Sequence, residues 1–490
     1  MHALFTPARL ASFSQKRLQV FFLITFILIN AVLLTFSASE EVETSNGEKY
    51  LLHAAYSHAS DGQRYWGAAL SLAETGQFLM RSEKDIYHQG EGLKPLSRAG
   101  PLPAILFAVP IKIFGFENGV FFIIAGQCLL LWIMGLAARG IAEPFGANKN
   151  FAQGLVLFNP NLIGISHQAQ SDLIFAFVLT LLLLNISKLI EKPSDIRVTN
   201  AITIAILAGL LPLARPMGVY CIVLLPIFLL IALLIRQRFV RVDWQKVLGL
   251  AVISTIIALL ILTPWATRNH AVFGDLSLTQ SGAIQARYYY RALKGYGMPD
   301  STPAVEAYLA EHGYDPLCID SGEPGSGCEK AIRNAYMNLI FSAPKTVLLR
   351  AGSVAVFRTL LSGGTRTITD YVGIPPPEEQ YNLLANLSWK NIEQFFITVY
   401  RYSPIYLILF LAITAFPLYT RGLGLIGLFR AIYNPYLHAY LVFYVLIIAL
   451  LLALYGLQGW SRFRVPIEPI LMVFSAIAFS KSTSQNRTGS

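Results

Sequence analysis

The residues able to do chemistry are few, and one stretch concentrates three of them. In SDGQRYWGAALSLAETG, residues 60–76, Asp61 stands at the N-terminal edge of a segment whose apolar positions Tyr65, Ala68, Ala69, Leu72 and Ala73 have helical spacing. A carboxylate there can cap the first turn. It can also orient or accept the proton of an attacking hydroxyl, with the Arg64 guanidinium and the Tyr65 phenol presented alongside. Arg64 serves equally well as a solvated or headgroup-facing arginine. A second acid, Asp172 in HQAQSD, opens an apolar run, where it is either a cap or a second functional carboxylate. His167 of the same motif can assist or ligate a metal, although a lone histidine is more often simply hydrogen-bonded. A third group is cationic: Lys94 and Arg98 in KPLSRAGPLP, Arg215 in LARPMG, Arg268 in PWATRN, and Arg462 and Arg464 in WSRFRVPIEP. Each alone reads as an interfacial side chain. Converging on one rim they would suit the phosphate of a lipid-linked donor, because guanidinium pairs phosphate in two-pronged fashion and stabilises it as a leaving group. Glu468, close to Arg464, can neutralise it.

What must position these groups is a membrane. The 490 residues are 54% hydrophobic and 13% charged, with mean hydropathy +0.53, outside the range of soluble domains. The net charge of +10 falls largely in short loops between apolar runs, where it sets orientation and excludes a nucleic-acid reading. The fold class expected is an all-α polytopic membrane protein with about ten transmembrane helices, at 18–39, 118–138, 151–170, 173–187, 198–214, 217–235, 247–267, 402–420, 436–457 and 465–480. The first has no obvious small-residue cleavage site and is read as a retained span. The run 102–116 carries Lys112 and is interrupted by Pro103 and Pro110, so it is read as an interfacial helix. With both termini inside, the inner segments hold 16 Lys and Arg against 3 in the short outer connections.

Three regions follow: a transmembrane module over 1–267 that includes a first outer segment at 39–117, an outer region over 268–401, and C-terminal spans over 402–490. In the outer region Cys318 and Cys328 can close a disulfide loop in an oxidising compartment; the alternative is two free thiols. The segment 343–361 carries Lys345, Arg350 and Arg358 and is read as a second interfacial helix. Cys128 and Cys221 fall within apolar runs as small fillers. No nucleotide-binding glycine pattern and no metal-spaced Cys/His cluster is present.

DGQRYWGAAL, KPLSRAGPLPAILFAVPIKIFG, SD opening a span, LARP, PWATRN followed by FG, and RFRVPIEP together resemble the bacterial branch of the GT-C glycosyltransferases, near the family 39 protein mannosyltransferases and the aminoarabinose transferases of lipid A. The resemblance covers most of the first 275 residues and the turn near 460–469. It implies an inverting transfer from a polyprenyl-phosphate sugar in the bacterial inner membrane, at the periplasmic face. The catalytic carboxylate maps onto Asp61, the second acid onto Asp172, and carrier-phosphate contacts onto Lys94, Arg98, Arg215 and Arg268. Many members carry two adjacent acids where this chain has Asp61 and Gly62, so no role is carried over for the second of those acids. No cofactor is required by any motif, and a divalent metal shared by Asp61, Asp172 and His167 stays open. Expected partners are the lipid-linked donor, membrane lipid and a glycolipid, polysaccharide or protein acceptor. Two alternatives are a transporter or flippase for lipid-linked sugars, disfavoured by scarce mid-span charge, and a ligase or polymerase of O-antigen type, which would place the active element in the late outer loop.

Overall fold

The computed structural model describes residues 15–44, 47–57, 62–81, 93–195, 197–316, 318, 327–374 and 389–480. Away from water an apolar run must satisfy its own backbone, and helices dominate accordingly. Among the described residues, seven helices are long and apolar enough to cross a membrane: α1 Gln15–Thr35, α4 Pro101–Ala142, α7 Ser171–Glu191, α9 Val219–Arg236, α10 Trp244–Phe273, α17 Pro404–Ile432 and α18 His438–Tyr455. The other three expected spans are shorter or broken, and prolines divide two of them. The run 151–170 splits at Asn159-Pro160 into α5 Lys149–Leu157 and α6 Pro160–Ser166, with the Asn159 side chain accepting from the Asn161 and Leu162 amides at 3.0 and 3.3 Å. The run 198–214 is the single helix α8 Val198–Ala214, and 465–480 becomes a 3₁₀ segment Ser461–Ile467 leading into α19 Glu468–Ile477.

The region read as an interfacial helix at 102–116 occupies the first part of α4, which is broken at Gly115 (φ 79°, ψ 168°). Only glycine takes that conformation freely. The two halves then fold against each other: a Cβ on Gly119 would stand 3.0 Å from the Ile111 backbone, and Phe114 and Phe122 stack at 3.7 Å. The break delivers Phe116 against Tyr56 and Trp66, at 4.6 and 5.3 Å between ring centroids.

Before α4, the first outer segment makes an antiparallel hairpin, β1 Ser39–Glu43 with β2 Lys49–His53, in register Ser39↔His53. Two helices follow, α2 Ala54–Ser57 and α3 Gly62–Thr75. Trp66 of α3 donates its indole N–H to the Tyr56 carbonyl at 3.1 Å, and Gly67 lies so close to the Arg81 backbone that a Cβ would stand 2.3 Å from its carbonyl oxygen.

After α10 come α11 Gly282–Lys294, α12 Thr302–Glu311 and α13 Gly327–Ser342, which share a small core of Ala286, Tyr290, Val305, Leu309, Ala335 and Tyr336. Cys318 and Cys328 are bonded there, with Cα atoms 6.5 Å apart. α14 Lys345–Leu361 turns away from α13 by 104°. The face of α14 bearing Ala351 and Ala355 is buried, and a Cβ on Gly459 would stand 3.0 Å from the Ala355 Cα. α15 Thr365–Tyr371 returns to the first outer segment, where the Ala38 amide donates to the Tyr371 carbonyl at 2.8 Å. α16 Trp389–Tyr402 then leads into α17.

Arg421, counted above with the inner-loop charges, is not in a loop. It lies well inside α17, and its guanidinium reaches Glu468 at 2.8 Å. Among the seven long helices α7 is the most enclosed, with 72% of its apolar window buried against 17% to 44% for the others. Its first turn, carrying Asp172, therefore opens into the middle of the bundle's end rather than onto its perimeter.

Candidate functional site

Asp172 lies in the first turn of α7, where the helix dipole favours an anion. Arg215 follows the last residue of α8 in extended backbone (φ −144°, ψ 131°), the conformation that a following proline, here Pro216, imposes. The Arg215 guanidinium thereby turns back and donates through Nη1 to Asp172 Oδ1. Both side chains are largely buried, at 14% and 3% exposure, so the pair is screened weakly by solvent. The guanidinium also stands 5.8 Å from the centre of the Tyr455 ring, which closes α18 and stacks on Phe463 at 4.6 Å. Arg462 belongs to the same corner: it acts electrostatically on Tyr455, and its guanidinium covers Trp460 and Phe463 at 5.1 and 5.2 Å. The Tyr455 hydroxyl is buried and has no hydrogen-bond partner among the described residues. Sequence reading missed this tyrosine. Its only signal is a phenol ending an apolar run just before GLQGW.

Beside this corner runs the turn holding Arg98. A Cβ on Gly100 would stand 2.2 Å from the Leu213 carbonyl oxygen, so the SRAGP turn presses on the end of α8, next to Arg215. Ser97 contributes its carbonyl to the Gln280 amide at 2.7 Å and to Thr279 Oγ1 at 3.3 Å, tying the same turn to the start of the second outer region. Arg98 lies within electrostatic reach of Arg64, Tyr288 and Glu329. Arg64 and Arg98, from opposite ends of the first outer segment, are thus brought together. Tyr65 is nearly buried in α3, and the Lys94 side chain is exposed.

Arg268 is engaged differently. Its Nη1 donates to the Leu96 carbonyl at 2.7 Å and to Asn269 Oδ1 at 2.9 Å, and its Nη2 donates to the Phe78 carbonyl at 3.2 Å. Those carbonyls belong to two strand-like runs joined by the Leu79↔Pro95 bridge. Arg268 is a clamp that fastens both to α10, with its guanidinium 4.8 Å from the Trp265 ring. Arg464 is also drawn away from the rim. It is 1% exposed, it donates to Glu468 Oε1 and to the Thr359 and Ser362 carbonyls, and Glu468 in turn binds Arg421 through both oxygens.

Asp61 lies outside the described residues; Arg64 and Tyr65, which follow it in sequence, are on the first turn of α3. His167 is buried, with Nδ1 3.0 Å from the Ile163 carbonyl and its ring 5.1 Å from that of Tyr371. Burial, then the neighbouring His167, lowers the His53 imidazole to about 4, leaving it neutral at physiological pH. Among the described residues, no group of three His, Cys, Asp or Glu side chains could hold a metal ion.

No protein-family model matches the chain, and no curated protein matches it. Among solved structures, the chain is similar to the archaeal oligosaccharyltransferase AglB from Archaeoglobus fulgidus, in complex with an inhibitory peptide and a dolichol-phosphate. The identity is 14%, the match covers 95% of this chain and 50% of the other, and the TM-score is 0.46. It is also similar to ArnT from Cupriavidus metallidurans bound to undecaprenyl phosphate, at 13% identity, covering 95% of this chain and 77% of the other, with a TM-score of 0.38. The chain spans about half the length of the oligosaccharyltransferase.

Proposed function

We propose that this chain is a membrane glycosyltransferase of GT-C type, which moves a sugar from a polyprenyl-phosphate donor to an envelope acceptor at the face bearing residues 39–100 and 268–401. That face is read as the outside of a bacterial inner membrane, with both termini in the cytoplasm. The acceptor hydroxyl attacks the anomeric carbon, its proton passes to the Asp61 carboxylate, and the bond from that carbon to the phosphate oxygen breaks with inversion. The phosphate departs as an anion toward guanidinium groups, which stabilise the charge it gains.

One observation carries the reading. The Arg98 turn packs on the end of α8 beside Arg215 and within reach of Arg64, so cations far apart in sequence gather at one end of the bundle. Asp172 fits the role of orienting Arg215 rather than of a second base, since it is already paired.

The test is reconstitution of the full chain in liposomes with labelled polyprenyl-phosphate sugar and an envelope glycolipid extract. Wild type should transfer label covalently. Asp61→Asn should reduce transfer by about a hundredfold or more, the scale of general-base catalysis, while its melting temperature in detergent stays near wild type. A variant that keeps most of its transfer would remove Asp61 from the chemistry. Label that crosses the bilayer without joining an acceptor would identify a transporter instead.

A further inference from the structure

We propose that the indole of Trp460 is the platform on which a sugar ring of the acceptor stacks, so that the acceptor of this chain is a saccharide-bearing molecule. This rests on the transfer reading above and adds an acceptor subsite to it.

Trp460 is 51% exposed, yet it ends a column of rings that begins in the interior. The Arg215 guanidinium, paired with Asp172, stands 5.8 Å from the centre of the Tyr455 ring. Tyr455 lies 4.6 Å from Phe463 with the two rings inclined by 19°, and Phe463 lies 5.7 Å from Trp460 at 4°. Tyr455 and Phe463 are both buried, so the column passes from closed interior to open surface within three side chains. The Arg462 guanidinium stands 5.1 Å from the Trp460 ring centre and 5.2 Å from that of Phe463, and ties the two together. These contacts hold the indole and leave half of it uncovered.

The backbone that carries it is constrained as well. Gly456 (φ 57°, ψ −128°) and Gly459 (φ 64°) take conformations that favour glycine. A Cβ on Gly456 would stand 2.9 Å from Tyr289 Cζ, and one on Gly459 3.0 Å from the Ala355 Cα. The Tyr289 hydroxyl donates to the Leu454 carbonyl at 2.6 Å, and Asn161 Nδ2 donates to the Ser461 carbonyl at 3.1 Å. Residues of α6, α11 and α14 thus grip one short turn. A tryptophan that only anchors a protein in the headgroup layer needs no fixed plane. This one has a plane.

The C–H groups on the face of a pyranose carry partial positive charge drawn out by its oxygens, and the face of an indole carries the negative part of the ring quadrupole. The two attract, and the sugar hydroxyls at the ring edge stay free for other partners. Position along the column selects the acceptor. Arg215, one of the cations proposed to receive the departing phosphate, stands at the inner end, and the transferred sugar is bonded to that phosphate. Trp460 lies two rings further out, where the molecule receiving the sugar extends.

The experiment has two arms and uses the full chain. In liposomes, transfer from labelled polyprenyl-phosphate sugar to an envelope glycolipid extract is measured with each substrate varied in turn. Trp460→Leu, which keeps an apolar side chain for anchoring, should raise KM for the extract about threefold to tenfold, the scale of one aromatic contact, with kcat and the donor KM near wild type. Trp460→Phe, which restores an aromatic face, should recover most of the loss. Trp460→Met serves in place of the leucine variant if that folds poorly. In detergent, without donor, the water-soluble glycan released from the extract by mild acid should change the tryptophan emission of wild type and leave that of Trp460→Leu unchanged. Equal KM and equal emission change in wild type and Trp460→Leu would overturn the platform and leave the transfer reading intact. A rise confined to the donor KM would overturn the assignment to the acceptor. Absence of transfer by wild type, with its emission change present, would overturn the transfer reading while the saccharide site stands.

Discussion

Two clusters of arginine and acid stand near the same end of the bundle and do opposite things. In the Arg421, Glu468 and Arg464 cluster, Glu468 receives both guanidinium groups and Arg464 also reaches the Thr359 and Ser362 carbonyls. The donors are spent on protein, and Arg464 and Glu468 are 1% and 0% exposed. In the rim group, Arg215 meets one oxygen of Asp172, while Arg98 lies within electrostatic reach of both Arg64 and Glu329. Residue type is the same in both. What differs is enclosure: Arg464 and Glu468 are sealed in the interior, with Arg464 bonded to backbone, whereas Arg64, Arg98 and Arg215 stay only partly buried, and this separates a strut from a site. The strut also explains how the site is held: Arg464 fixes the corner between α14 and α15, and α15 carries Tyr371 to the first outer segment.

The comparison breaks most visibly at Glu468. Glu468→Ala leaves two guanidinium groups facing each other in a buried place, and should destabilise the chain by about 3–5 kcal/mol, read as a large loss of folded yield and melting temperature in detergent. Replacing all three, Glu468→Leu with Arg421→Met and Arg464→Met, should recover most of that loss, because an apolar trio has no stranded charge. If the single variant were as stable as wild type, the cluster would not be a strut. Arg268 gives a smaller effect of the same class. Arg268→Lys cannot reach the Leu96 and Phe78 carbonyls together, so it should loosen the joined runs around Leu79 and Pro95 by about 1–2 kcal/mol. Faster hydrogen exchange at the Met80 and Leu96 amides, with α7 unchanged, is the expected readout.

Much of this was legible in the residues, in an uneven way. Long uncharged runs reveal helices because backbone satisfaction leaves an apolar chain no other local solution. The ten apolar segments are all helical, yet Asn159-Pro160 divides one and Pro466 and Pro469 shape another, which hydropathy averages cannot register. Arg421 was misplaced for a related reason: loop counting assumes that a cation at the end of an apolar run is wet, whereas the partner that permits its burial, Glu468, lies 47 residues away. Clustering of arginines toward one end of the bundle was readable from span boundaries. Their division into clamp, strut and rim was not, since it depends on carbonyls such as those of Leu96 and Thr359, which no residue letter encodes. Glu329 was invisible for the same reason: only the packing of α13 on α11 brings it within electrostatic reach of Arg98.

Tyr455 offers the smallest structural effect and the sharpest distinction. Its hydroxyl is buried beside Arg215 and Arg462, with no hydrogen-bond partner among the described residues. Tyr455→Phe keeps the ring that stacks on Phe463 and lies under the Arg215 guanidinium, and removes only a hydroxyl with no hydrogen bond to the described residues. Stability should therefore change by less than about 0.5 kcal/mol, or rise slightly, because an unsatisfied polar atom has left the interior. A strut residue would respond to the equivalent change through its melting temperature. If this corner belongs to the site, Tyr455→Phe should instead lower sugar transfer at an unchanged melting temperature, since the orphan hydroxyl finds its partner only when substrate is bound. Full transfer by the variant would assign Tyr455 to packing alone and leave Arg64, Arg98 and the pair of Asp172 with Arg215 as the groups set beside Asp61 in the proposed site.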